Sequence, residues 1–242
     1  MRALCVTAAL LLALFATLRA ADNANKVSAD KSRLAPLQDY VGEWRGVGQP
    51  RRGITRGAWS EDAAWQWQFK EARAALVANI DDGKYFSSAR LLPGSEEGTF
   101  ELIATLPDGK TEEHYVGKIN DDDQLVLDAV KPSEDRPARI TIRMVAAGKR
   151  LLVLLERQVG DTDRYLRIAE VGYTRKGSGF GTGPSYPECV VTGGYATIEV
   201  KHEGKTYKVC CQGCKDLFEM DPAGVLAEYR QRKEEERNAP KK

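Results

Sequence analysis

Residues 63–70 read AAWQWQFK. Ala63, Trp65, Trp67 and Phe69 alternate with Ala64, Gln66, Gln68 and Lys70. That period of two gives an extended strand one apolar, aromatic face and one polar face. A strand with one face on a core and the other in water belongs to an antiparallel sheet. The same texture continues in ALVANI (75–80), KYFSSARLL (84–92), TFELIATL (99–106), EEHYVGKI (112–119), QLVLDAV (124–130), ARITIRM (138–144), RLLVLLERQ (150–158) and RYLRIAEVGY (164–173). Turn chemistry separates these runs: DDGK at 81–84, LPGSEEG at 92–98, PDGK at 107–110 and NDDD at 120–123. The pattern predicts roughly nine or ten strands and a mainly β fold. Closing such a meander into a barrel removes its edges and surrounds one core.

Upstream, SRLAPLQDYVGEW (32–44) reads as a short helix, with Ser32 as its cap and Leu34, Leu37 and Val41 at helical spacing. Residues 22–32 are polar and read as a disordered leader to the fold. The chain starts MRALCVTAALLLALFATLRA, a basic residue followed by an apolar stretch and a small residue. This is the pattern of a secretory signal over residues 1–21, too short for a membrane anchor. An exported, periplasmic or extracellular protein with no stable membrane span is the expectation. Taking Arg2 and Arg19 away leaves 34 of the 36 basic residues against 35 acidic ones. That balance gives no general pull toward nucleic acid.

The cysteines divide the chain. Apart from Cys5, all of them lie in its last quarter: Cys189, Cys210, Cys211 and Cys214. RKGSGFGTGPSYP, with no apolar period, precedes them and reads as a Gly-rich linker over residues 176–187. Next come a hairpin, ATIEVKHEGKTYKV, turning at HEGK, and two short helices, the second starting at Asp221 and Pro222. Residues 231–242 read as a charged tail with a solvated face. A hairpin returns its end near its start, so Cys189 and Cys210 can approach one another. Gly193 and Gly213 permit tight turns that aim backbone amides at sulfur, and Cys214 falls at a helix start, which favours thiolate. Thiolates bind soft and borderline metals. Two other uses of four exported thiols stay open: a disulfide staple for a small module, and redox work by Cys211-Gln212-Gly213-Cys214 as a CxxC. His202, in the hairpin turn, and His114, in a strand, read as ordinary surface or core residues.

Two resemblances add to this. The Cys-x20-Cys-x3-Cys spacing, the core GKTYKVCCQGCKDLF and the following DPAGVLAEY resemble the YHS/TRASH family of small treble-clef-like modules over residues 188–230. That resemblance implies a heavy-metal ion, Zn or Cu, held by Cys189, Cys210 and Cys214, with Cys211 as an additional sulfur. The motif GEWRG (42–46) has the Gly-x-Trp that opens lipocalin-like barrels of the calycin type, and the likeness extends over residues 34–175. In that family the Trp plugs the barrel bottom and the Gly lets the N-terminal helix approach. The family also implies an internal cavity for a small apolar ligand, which Trp59, Trp65, Trp67 and Phe69 are candidates to line. Its haem-binding members need an axial histidine, and no histidine lies near the last strands.

Paired carboxylates sit in the turns, where solubility explains them, and there is no Ser-centred elbow or phosphate-binding Gly loop. No catalytic constellation stands out. Three function classes remain: a metal-binding protein for heavy-metal sensing, sequestration or delivery; a carrier of a small apolar ligand with a cysteine staple; and a thiol oxidoreductase.

Overall fold

A computed structural model describes residue 23 and residues 25–160, 162–177 and 187–238. The segment expected to be a secretory signal and most of the expected Gly-rich linker lie outside the described residues. Among the described residues 46% are in strands against 21% in helices, so the fold is mainly β.

Ten strands follow one another along the chain: β1 (Gly42–Gln49), β2 (Trp59–Lys70), β3 (Arg73–Asp81), β4 (Ser88–Pro93), β5 (Thr99–Thr105), β6 (Glu112–Ile119), β7 (Leu125–Ala129), β8 (Arg139–Val145), β9 (Arg150–Gln158) and β10 (Tyr165–Arg175). Each pairs antiparallel with its neighbours in sequence, and β1 pairs with β10 to close a barrel. Residues 63–70 behave as their period requires: Ala63, Trp65 and Trp67 are buried along β2 while Ala64 and Gln68 are exposed. Inside, Leu76, Leu91, Leu125, Leu127, Ile140 and Leu151 are almost fully buried. Each such side chain contributes about 1.5–3 kcal/mol on leaving water.

The free volume enclosed by the barrel wall is about 50 Å³. Drug-sized ligands occupy pockets of about 300–1,000 Å³, so side chains fill this interior. Of the four aromatics considered as cavity lining, only Trp65 borders that space. Trp59 instead donates its indole N–H to buried Glu61 at 2.5 Å, and Trp67 and Phe69 stack on each other with ring centroids 5.9 Å apart.

The closed end is built around Trp44, which is fully buried and donates its indole N–H to the Tyr40 carbonyl at 2.8 Å. The Arg175 guanidinium lies 4.2 Å from its ring centroid, and donates to the carbonyls of Asp39, Val41 and Gly148 at 2.5, 2.7 and 3.0 Å. Gly42 is required here for a different reason from the one its motif implied. Its φ is +135°, and a Cβ would stand 2.5 Å from Arg175 Nη1. The close neighbour is the arginine.

The N-terminal segment also departs from expectation. Residues 25–34 form a helix, α1, and a 3-10 turn follows over Ala35–Tyr40. Ser32 is not its cap: it lies inside the helix, where Oγ donates to the Ser28 carbonyl at 3.1 Å. The polar side chains that suggested disorder are tied down at long range. Asp30, buried, accepts from Arg73 Nε at 2.6 Å and the Ala74 amide at 3.1 Å, and Arg33 donates to the carbonyls of Gly94 and Glu96.

One detail of register positions everything that follows. The last residue of β2 paired with β1 is Trp65, opposite Gly42. From Gln66 to Lys70, β2 therefore overhangs its neighbour on that side. An uncovered strand edge invites unwanted pairing, and here the cysteine region covers it.

Candidate metal centre

The C-terminal region contains a hairpin, β11 (Ile198–His202) and β12 (Lys205–Val209), and two helices, α2 (Gln212–Met220) and α3 (Pro222–Asn238). Glu203 and Gly204, with φ of +48° and +75°, make the turn that HEGK promised. Asp221 caps α3 by accepting from the Gly224 amide at 2.9 Å. Phe218 is buried against Tyr207 and His202.

The segment carrying Cys189 is laced to this hairpin. The Val190 amide donates to the Lys208 carbonyl at 3.0 Å, and the Thr197 amide to the Val209 carbonyl at 3.1 Å. Gly193, at φ +80°, turns the chain and donates its amide to the Cys189 carbonyl at 2.8 Å. Cys189 thus arrives beside Cys210 at the end of β12, while α2 brings Cys214 in its first turn.

The sulfurs of Cys189, Cys210 and Cys214 all lie within 4.8 Å of one another. Those of Cys210 and Cys214 are 3.5 Å apart. Around a zinc ion with Zn–S bonds of about 2.3 Å, sulfurs stand about 3.8 Å apart in a tetrahedron and about 4.0 Å in a trigonal plane. The Cys210–Cys214 spacing falls just below those values and no pair in the trio exceeds 4.8 Å, so small adjustments would close the three sulfurs on one ion. Cys211 is not in this trio. Its sulfur lies 3.8 Å from that of Cys210 and accepts the Trp67 amide N–H at 3.3 Å. All four are free thiols, Cys189 and Cys214 with 0% exposure and Cys210 and Cys211 with 7% each.

The protons are unevenly shared. Burial pushes the Cys189 thiol up, but hydrogen bonds from Cys210, Cys214 and Thr192 outweigh it and hold Cys189 at about 2. The hydrogen bond from Cys210 leads in holding Cys211 at about 3. Cys210 is raised, first by its bond to Cys189, and Cys214 is raised, first by burial. Hydrogen bonds that favour the thiolate form at Cys189 and Cys211 suit the binding of a soft cation.

Gly213 has a different role from the turn assigned to it. It lies inside α2, and a Cβ there would stand 1.9 Å from the Trp67 carbonyl oxygen. The glycine lets the start of α2 seat on the overhang of β2. Two residues that support the centre carry no local signal in the sequence. Trp67 supplies an amide from the barrel. Arg232, inside the run read as a solvated tail, donates to the carbonyls of Cys189 and Val190, both at 3.3 Å, and to Glu188 at 3.4 Å. That run is part of α3 as far as Asn238, and Lys233 pairs with Glu188 beside it. His202 ends β11 against Phe218 rather than sitting in the turn, and His114 lies in β6 with Nδ1 3.4 Å from Glu101, so neither joins the sulfurs.

No family model matches the chain, and no curated protein does. Among solved structures, the crystal structure of Rv2717c from M. tuberculosis is similar at 20% identity and a TM-score of 0.39, covering 60% of this chain and 97% of that one. An overlap that loose carries no weight for function. No helix among the described residues is long and apolar enough to cross a membrane.

Proposed function

We propose that this is an exported protein that holds a heavy-metal ion, Zn or Cu, through Cys189, Cys210 and Cys214, and serves in metal sensing, sequestration or delivery. The observation that carries the reading is the convergence of three buried sulfurs, from two segments, within 4.8 Å of one another. A staple brings sulfurs together in pairs, whereas a metal gathers several around one point. The likeness of residues 188–230 to YHS/TRASH modules agrees with this use. An all-sulfur set with no histidine or carboxylate suits Cu(I) or Zn and is poor for hard cations.

The competing readings find less support. A carrier of the lipocalin-like kind needs more room than the roughly 50 Å³ inside this barrel. A thiol oxidoreductase rests on the Cys211–Cys214 pair alone and leaves the convergence of Cys189 and Cys210 on Cys214 without a use.

Metal analysis of protein purified without chelator or reductant, paired with a free-thiol count, tests the proposal. About one ion per chain is expected. No metal together with no free thiols would refute it.

A further inference from the structure

The four sulfurs do not face solvent equally. Cys189 and Cys214 are sealed at 0% exposure, whereas Cys210 and Cys211 keep 7% each. Those two, and not the others, border a cleft of about 430 Å³ between the two parts of the molecule. Ala64 and Gln66 of β2 form one wall, and Tyr195 and Thr197 the other. The sulfur of Cys211 accepts the Trp67 amide at 3.3 Å and lies 3.8 Å from the sulfur of Cys210.

Resting on the metal-binding reading above, we infer that this cleft is the route by which the ion enters and leaves, and that Cys211 is the exchange ligand at its inner end. An ion arrives bound to a donor. The Cys211 sulfur forms a bond to it as one donor ligand is released. Cys210 and Cys214 then bond in turn as the donor's remaining ligands leave, and Cys189 bonds as the Cys211–metal bond breaks. Protons displaced from the thiols leave through the same cleft, and no electrons change hands. The Trp67 amide keeps the Cys211 sulfur turned toward the barrel edge, so it meets the ion early and returns to its hydrogen bond once the trio is full. Cys211 therefore governs rate more than affinity, and loading and removal slow by the same factor when it is lost.

The test uses the full chain, with Zn²⁺ presented by a colorimetric chelator and removed by an excess of it. Cys211→Ser is expected to slow both directions roughly tenfold while Kd moves less than about threefold. Thr197→Trp, at an exposed position on the cleft wall, is expected to slow both directions with Kd unchanged, and stands in if the cysteine variant fails to fold. Unchanged rates in either variant overturn the inference. So does a Kd that rises about tenfold or more in Cys211→Ser, because Cys211 is then a resident ligand. If neither Zn²⁺ nor Cu(I) loads into the wild-type protein, the metal reading itself falls, and the exchange route with it.

Discussion

The amide N–H of Trp67 donates to the sulfur of Cys211 across 3.3 Å, although the two residues are 144 positions apart. This bond joins the aromatic strand of the barrel to the cysteine cluster. The centre is thus built partly from the barrel, at the place where β2 outruns β1.

Gly213→Ala tests that seating. At an ordinary helix position the change stabilises by about 1 kcal/mol. Here the new Cβ would meet the Trp67 carbonyl at 1.9 Å, so a loss of about 2 kcal/mol is expected in chemical denaturation. A stabilised variant would show that α2 is not pressed on the strand.

Arg232→Ala removes the donor to the carbonyls of Cys189 and Val190. Loosening the loop that carries a ligand should raise the metal Kd about 10- to 100-fold, measured by competition with a chelator, with little change in secondary structure. An unchanged Kd would make Arg232 a bystander.

Much of this was legible in residues 63–70 and their successors. The period of two gave the strands, and the turn tetrads separated them. The cysteine spacing, with a hairpin between its halves, anticipated the meeting of Cys189 with Cys210. The rest depended on partners far along the chain. Asp30 is held by Arg73, and no local pattern distinguishes it from the other charges of a polar leader. Gly213 looks like a turn residue until the Trp67 carbonyl is seen above it. Arg232 sits in a run of like-looking charges, and its targets are backbone carbonyls, which every residue has.

Arg175→Ala should open the closed end of the barrel. The buried guanidinium serves three carbonyls and covers Trp44. Leaving those acceptors without their donor is expected to cost about 3 kcal/mol. Thermal unfolding followed by tryptophan fluorescence reads the effect, and a shift within error would contradict the role given to Arg175.

Alkaline pH should unfold the barrel. Burial raises the Tyr40 and Tyr115 hydroxyls, and burial, then the charge and hydrogen bond of Glu61, raise that of Tyr173. A group raised in the folded state contributes stability that is complete below its unfolded value, about 10 for tyrosine, and is lost as pH climbs above it. Phenolate absorbance should therefore show a class of tyrosines that ionise only as the fold is lost. Free titration of all 9 tyrosines in the folded protein would contradict their burial.

The central claim is that sulfur from this trio holds the ion, and X-ray absorption at the metal edge tests it most directly. The loaded wild-type protein should show a shell dominated by three sulfurs, at about 2.3 Å if the ion is zinc. Cys189→Ser should lose one sulfur from that shell or fail to hold the ion. A shell dominated by nitrogen or oxygen in the wild-type protein, or one that Cys189→Ser leaves unaltered, would contradict the account.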